Sequence, residues 1–109
     1  MDSQNNTAVS SEDSPKWGSP VEVERRNRIR IAVAAYAYEI MDDLLMTDAE
    51  FDALALKINP NMNTKHEALD AFFREHFSPD TGQWIYQHPE LDRVDALYQR
   101  MKHWQEDRA

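Results

Sequence analysis

At 109 residues, with 41% hydrophobic and 10% aromatic content, the chain has material for one compact core and too little for two. A formal charge of -8 excludes gripping nucleic acid through a general basic surplus, and no direct nucleic-acid binding is expected. The absence of cysteine excludes a disulfide framework, a thiolate nucleophile and a thiolate zinc site, and it accords with a reducing, cytoplasmic setting.

The N-terminus, Met1-Asp2-Ser3-Gln4-Asn5-Asn6, lacks the basic start and apolar run of a secretory signal, so export by that route is not expected. Residues 1–18 are rich in Ser, Asn, Asp and Thr and carry no periodic apolar positions, so they cannot offset their ordering entropy. They read as a disordered tail, with Trp17 the one residue suited to tack its end onto the domain. Residues 19–109 then form a single helical domain.

Ser19-Pro20-Val21-Glu22 is a helix start, with a serine cap, proline at the first position and glutamate placed for a capping box. This helix is predicted to run to about Met41, its later part from Ile31 onward apolar nearly all round, as a helix central to a bundle would be. The apolar stretch Ile31 to Met41 is interrupted by Glu39 and falls well short of the roughly 20 residues of a membrane span, so no membrane association is expected. Thr47-Asp48-Ala49-Glu50 repeats the box, and Phe51, Leu54, Ala55 and Ile58 follow at helical spacing until Asn59-Pro60. Thr64-Lys65-His66-Glu67 is a third box, opening a helix whose apolar side carries Leu69, Phe72, Phe73 and Phe77. After the turn Pro79-Asp80-Thr81-Gly82, the segment Gln83 to Tyr86 fits a short helical turn or an extended stretch equally well. Pro89 opens a last helix with Leu91, Val94, Leu97, Tyr98, Met101 and Trp104 on one side. The fold class is all-α, a small bundle of four or five helices.

The first two helices make a hairpin with carboxylates at its turn. Asp48 and Asp52 lie four apart and share one side of the second helix, with Phe51 beside them and Tyr38 able to face that side across the hairpin. An aromatic platform bordered by two acids suits a flat cationic or amide-bearing ring.

Over about twenty residues, from Tyr38 through Asp48-Ala49-Glu50-Phe51-Asp52-Ala53-Leu54, the chain resembles without a gap the N-terminal helical Ia subdomain of bacterial NAD-dependent DNA ligases. That subdomain binds the nicotinamide mononucleotide (NMN) half of NAD, and the resemblance implies a ligase Ia-like hairpin here. It places nucleotide-contacting positions at Tyr38, Glu39, Asp48, Phe51 and Asp52. Two depart from the family: Glu39 stands where a histidine is usual, and Phe51 lacks the hydroxyl of the usual tyrosine. A lost hydrogen bond is worth roughly 0.5–1.5 kcal/mol, so NMN or NAD binding is expected to be weakened about ten- to a hundredfold or more. The Lys-x-Asp-Gly motif that carries the ligase nucleophile is absent, the lysines standing as Lys16-Trp17-Gly18, Lys57-Ile58-Asn59, Lys65-His66-Glu67 and Lys102-His103-Trp104. The resemblance implies a free-standing, non-catalytic binding module of phage or bacterial type. The alternative reading is an acidic interaction or inhibitor protein, phage-encoded in type, that meets the basic surface of a nucleic-acid-processing host protein. A third is an accessory subunit acting in trans with a nucleotidyltransferase.

Plainer readings stand beside these. Asp48 and Glu50 sit in a first helical turn, where the macrodipole favours acids without any ligand. Tyr36 and Tyr38 are suited to packing. Arg25, Arg26, Arg28 and Arg30 form the one dense basic patch and read as a solvated helix face, partly neutralised by Glu22 and Glu24. His66, His76, His88 and His103 lack metal-site spacing, so no metal is assigned.

Overall fold

Four helices and one short 3-10 turn make up the regular structure of residues 18–108, the part that this computed structural model describes, with side chains through 104. The protein is all-α, and no strand occurs among the described residues. The tail expected over residues 1–18, Trp17 included, lies outside them apart from Gly18. No helix of the described residues is long and apolar enough to cross a membrane.

Helix α1 spans Pro20–Glu39. Ser19 Oγ accepts from the Glu22 N–H at 3.3 Å, and Pro20 takes a position where its missing N–H would have had no helical partner. Every residue from Ile31 to Ala37 is buried, so α1 is the central helix that its apolar sequence implied. It ends two residues before Met41: the Ile40 and Met41 N–H groups both bond back to the Tyr36 carbonyl, and Asp42 reverses the chain at φ 53°. Aspartate is among the few non-glycine residues that adopt this left-handed conformation readily.

Helix α2 spans Asp48–Lys57 and starts with the expected reciprocal box. Thr47 Oγ1 accepts from the Glu50 N–H at 3.1 Å, and Glu50 Oε1 accepts from the Thr47 N–H at 2.9 Å. Leu54 and Ala55 face α1 from the buried side.

Helix α3 spans Glu67–His76, and here the third expected box is overturned. Lys65 sits at φ 67°, which carries the helix start past Thr64. His66 becomes the cap, its Nδ1 accepting from the Leu69 N–H at 3.3 Å. Thr64 instead turns inward, its hydroxyl donating to Asp70 Oδ1 at 2.6 Å and its N–H to Asp70 Oδ2 at 2.9 Å. A buried carboxylate offers a short charge-assisted bond that outcompetes a helix-end N–H, which water can satisfy.

The ambiguous segment resolves as the 3-10 turn Gln83–Gln87, with Trp84 and Ile85 buried. Trp84 nests among Phe72, Phe73 and Phe77 at centroid distances of 6.0, 5.8 and 5.2 Å. Gly82, just ahead, lies so close to α1 that a Cβ there would be 3.3 Å from Ala35 Cβ. The small residues of α1 thus let the turn lie directly on it.

Helix α4 spans Leu91–Arg108 and runs beside α1 in the same direction. Tyr36 Oη donates to Asp95 at 2.7 Å and, seven residues further along both segments, Lys102 Nζ reaches Asp43 at 3.1 Å. Val94 and Tyr98 are buried, whereas Met101 and Trp104 are largely exposed. The apolar stripe outruns the core because α4 continues past the end of α1.

One member of the arginine patch, Arg28, leaves the solvated face that its sequence suggested. Arg28 is 4% exposed, as is Glu24 one turn before it. The Arg28 guanidinium pairs with Glu24 and Asp70, both at 2.8 Å, and donates to the carbonyls of Asn59 at 2.8 Å and Met62 at 3.3 Å. It also lies 4.8 Å from the centre of the Phe73 ring. Glu24 in turn accepts from the Asn59 N–H, and Arg25 donates to the Thr64 carbonyl. The α2–α3 connection is therefore tied to α1 by charge. Arg26 and Arg30 remain on the exposed side of α1.

Candidate functional site

The hairpin of α1 and α2 does enclose open space. A cleft of about 330 Å³ lies between the last turns of α1, the 43–46 loop, the first turn of α2 and the 80–82 turn. Tyr38, Glu39, Asp48, Phe51 and Asp52 all contribute to its lining.

The local reasons are separable. Tyr36 and Tyr38 are two apart, so they point about 200° away from each other round the helix. Tyr36 faces inward, its ring edge-on to Tyr98 at 5.7 Å, and is a packing residue. Tyr38 faces the cleft and is 60% exposed. On α2 the box fixes the first turn, so Asp48 and Asp52 stand one turn apart on the exposed side, while Phe51 is half-buried against the core. Glu39 is half-buried, and its backbone carbonyl accepts from Tyr86 Oη at 2.8 Å, which pins the end of α1 beside the cleft.

Two parts of the wall escaped the sequence reading. The first is Asp43. Its Oδ2 accepts from Tyr98 Oη at 2.7 Å and from Lys102 Nζ at 3.1 Å, and its Oδ1 accepts from the Leu44 N–H at 2.8 Å. The Tyr98 hydroxyl foremost, with Lys102, holds this carboxyl below the usual carboxylate range. Asp43 thereby moors the loop wall to α4. The second is Asp80-Thr81-Gly82, brought in by the close approach of Gly82 to Ala35. A run of carboxylates around a turn hinted at Asp43. Nothing local to residues 80–82 announces a contact with α1.

Electrostatically the cleft is one-signed. Glu39, Asp43, Asp48, Asp52 and Asp80 line it, and no lysine or arginine does. Lys102 reaches Asp43 from outside the lining. Acidic walls with two aromatic side chains favour a cation with a ring face and oppose a phosphate. Among the described residues, no three His, Asp or Glu are grouped to hold a metal ion.

No protein-family model, curated protein or solved structure matches the chain.

Proposed function

We propose that the protein is a non-catalytic binding module whose acidic cleft takes a flat cationic or amide-bearing ring, the nicotinamide end of NMN or NAD being the ligand class. The observation that carries this reading is that Tyr38 and Phe51 share one open cleft with Asp48 and Asp52. The resemblance of the hairpin to the ligase Ia subdomain supplies the particular ring. The carboxylates suit the positive charge of a ribosylated nicotinamide and repel its phosphate, so the ring enters and the phosphate stays toward solvent. Glu39 in place of a histidine and Phe51 in place of a tyrosine make the complex weak, about ten- to a hundredfold or more below a site that keeps both residues. Calorimetry with NAD and with NMN tests the reading. Heat that saturates, and is lost in Asp48→Ala, supports it; no heat at millimolar ligand, or an unchanged isotherm in Asp48→Ala, removes it.

A second reading draws on the same walls. Tyr38 and Leu44, 60% and 65% exposed, stand at a cleft with five carboxylates, which equally suits a lysine or arginine side chain of a basic protein. Such an interaction weakens steeply with salt. A pull-down from host lysate across a salt series tests it, and capture that ignores ionic strength counts against it.

A further inference from the structure

A second cleft, of about 210 Å³, opens between the first half of α1, the entry to α3 and the first two turns of α4. It shares no residue with the acidic cleft. Its walls are apolar: Ala32, Phe73 and Val94 are buried at its base, Leu69 and Leu97 are half-buried, and Ile29 is 49% exposed. Apolar side chains therefore stand from the base of the cleft to its rim, where a large aliphatic side chain, Ile29, is left half in water.

The charged residues that line this cleft differ from those of the acidic one. In a chain of net charge -8, three arginines and one carboxylate, Glu90, line it. Arg28 is committed to Glu24, Asp70 and two carbonyls, and Arg25 to the Thr64 carbonyl. Arg93 is different. Its side chain is 77% exposed and its contact with Glu90 is long, at 4.0 Å, while the same Glu90 oxygen lies 3.6 Å from His66 Nε2. An exposed pair at that distance adds little, so the guanidinium fork is available for a better acceptor.

We propose that this second cleft binds a small apolar carboxylate, its hydrocarbon against Ile29, Leu69 and Leu97 and its carboxylate on Arg93, with Arg25 adding positive potential. The apolar walls set the hydrocarbon part. The planar guanidinium sets the head group, since it matches a carboxylate with two parallel bonds. Glu90 beside Arg93 sets the charge: it repels any anion on the fork, a phosphate dianion about twice as strongly as a carboxylate. The volume is below the roughly 300–1,000 Å³ of pockets for drug-sized ligands, which restricts the occupant to one or two rings or a short alkyl chain.

The test uses the full chain and two probes of nearly equal size, naphthalene-2-carboxylate and the neutral 2-naphthalenemethanol, titrated while backbone amide NMR signals are followed. The carboxylate is expected to give saturable shifts around residues 29, 69 and 97, with the alcohol about tenfold weaker. Arg93→Gln, at an exposed position, is expected to keep the melting temperature and to weaken the acid about tenfold while leaving the alcohol unchanged. Equal binding of acid and alcohol overturns the proposal. So does wild-type affinity for the acid in Arg93→Gln, shifts centred on the acidic cleft, or no shifts at the solubility limit.

Discussion

Replacing Arg28 by alanine tests how the fold holds its longest connection. The guanidinium makes two ion pairs at 2.8 Å and two bonds to loop carbonyls, and its removal strands Glu24 and Asp70, 4% and 8% exposed, without their common cation. Breaking a buried pair from one side costs about 3–5 kcal/mol. A domain of this length has a total stability of about 5–14 kcal/mol, so the variant loses a large share of it. At about 4–8 °C per kcal/mol, the melting temperature should fall by at least about 12 °C, measured by far-UV circular dichroism with urea unfolding alongside. The pH dependence adds a sign. Burial pushes the Asp70 carboxyl up, but the Thr64 hydroxyl and N–H together with Arg28 outweigh it and leave it below the ordinary value. In the native protein its contribution is thus present above the unfolded pKa of about 3.9 and is lost as pH falls through the lower folded value. Without Arg28, burial opposes the charged form with less to offset it, so the penalty of the substitution should shrink as pH falls from 7 toward 4. A loss below about 1 kcal/mol, or a penalty that grows on acidification, would refute the buried-cation account.

The remaining predictions concern the cleft and its mooring. Tyr98→Phe removes the hydroxyl that holds Asp43 and should cost about 1 kcal/mol, with amide exchange accelerated over residues 43–46 more than in α3; uniform acceleration would mean that Asp43 does not anchor this wall. The same variant should lose less stability on acidification, because Asp43, held below its ordinary value, stabilises the native state above the unfolded pKa and ceases to do so as pH falls through the folded one. Thr47→Ala breaks the box at the start of α2 and should cost about 1 kcal/mol in urea unfolding, an unchanged midpoint being the contrary result. At alkaline pH, the bond to Asp95 foremost, with burial, pushes the Tyr36 hydroxyl up to about 12, so its contribution is intact below pH 10 and is lost as pH rises toward that value. Phenolate absorbance should show Tyr36 titrating late, and in step with unfolding.

By itself the sequence determined the helices and the inner face of the central one. Ser19-Pro20 and Thr47 with Glu50 mark two starts correctly because a cap is a bond across three residues, a local affair. Ile31 to Ala37 announces a central helix because no side of it is polar enough to face water. Tyr38, Asp48, Phe51 and Asp52 were legible as a group because a hairpin brings close what is close in sequence, Glu39 was added by the ligase resemblance alone, and all five line one cleft.

Tertiary structure alone decided the rest, wherever a side chain had a choice between a local partner and a distant one. Thr64 could cap α3 and instead bonds Asp70; Arg28 could face water with its neighbours and instead joins Glu24, Asp70 and the loop; Met101 and Trp104 continue an apolar stripe where no α1 remains to cover it. Local rules rank partners within a turn of helix. A buried charge finds its partners only once the chain has folded, and low dielectric then makes the distant bond the stronger one.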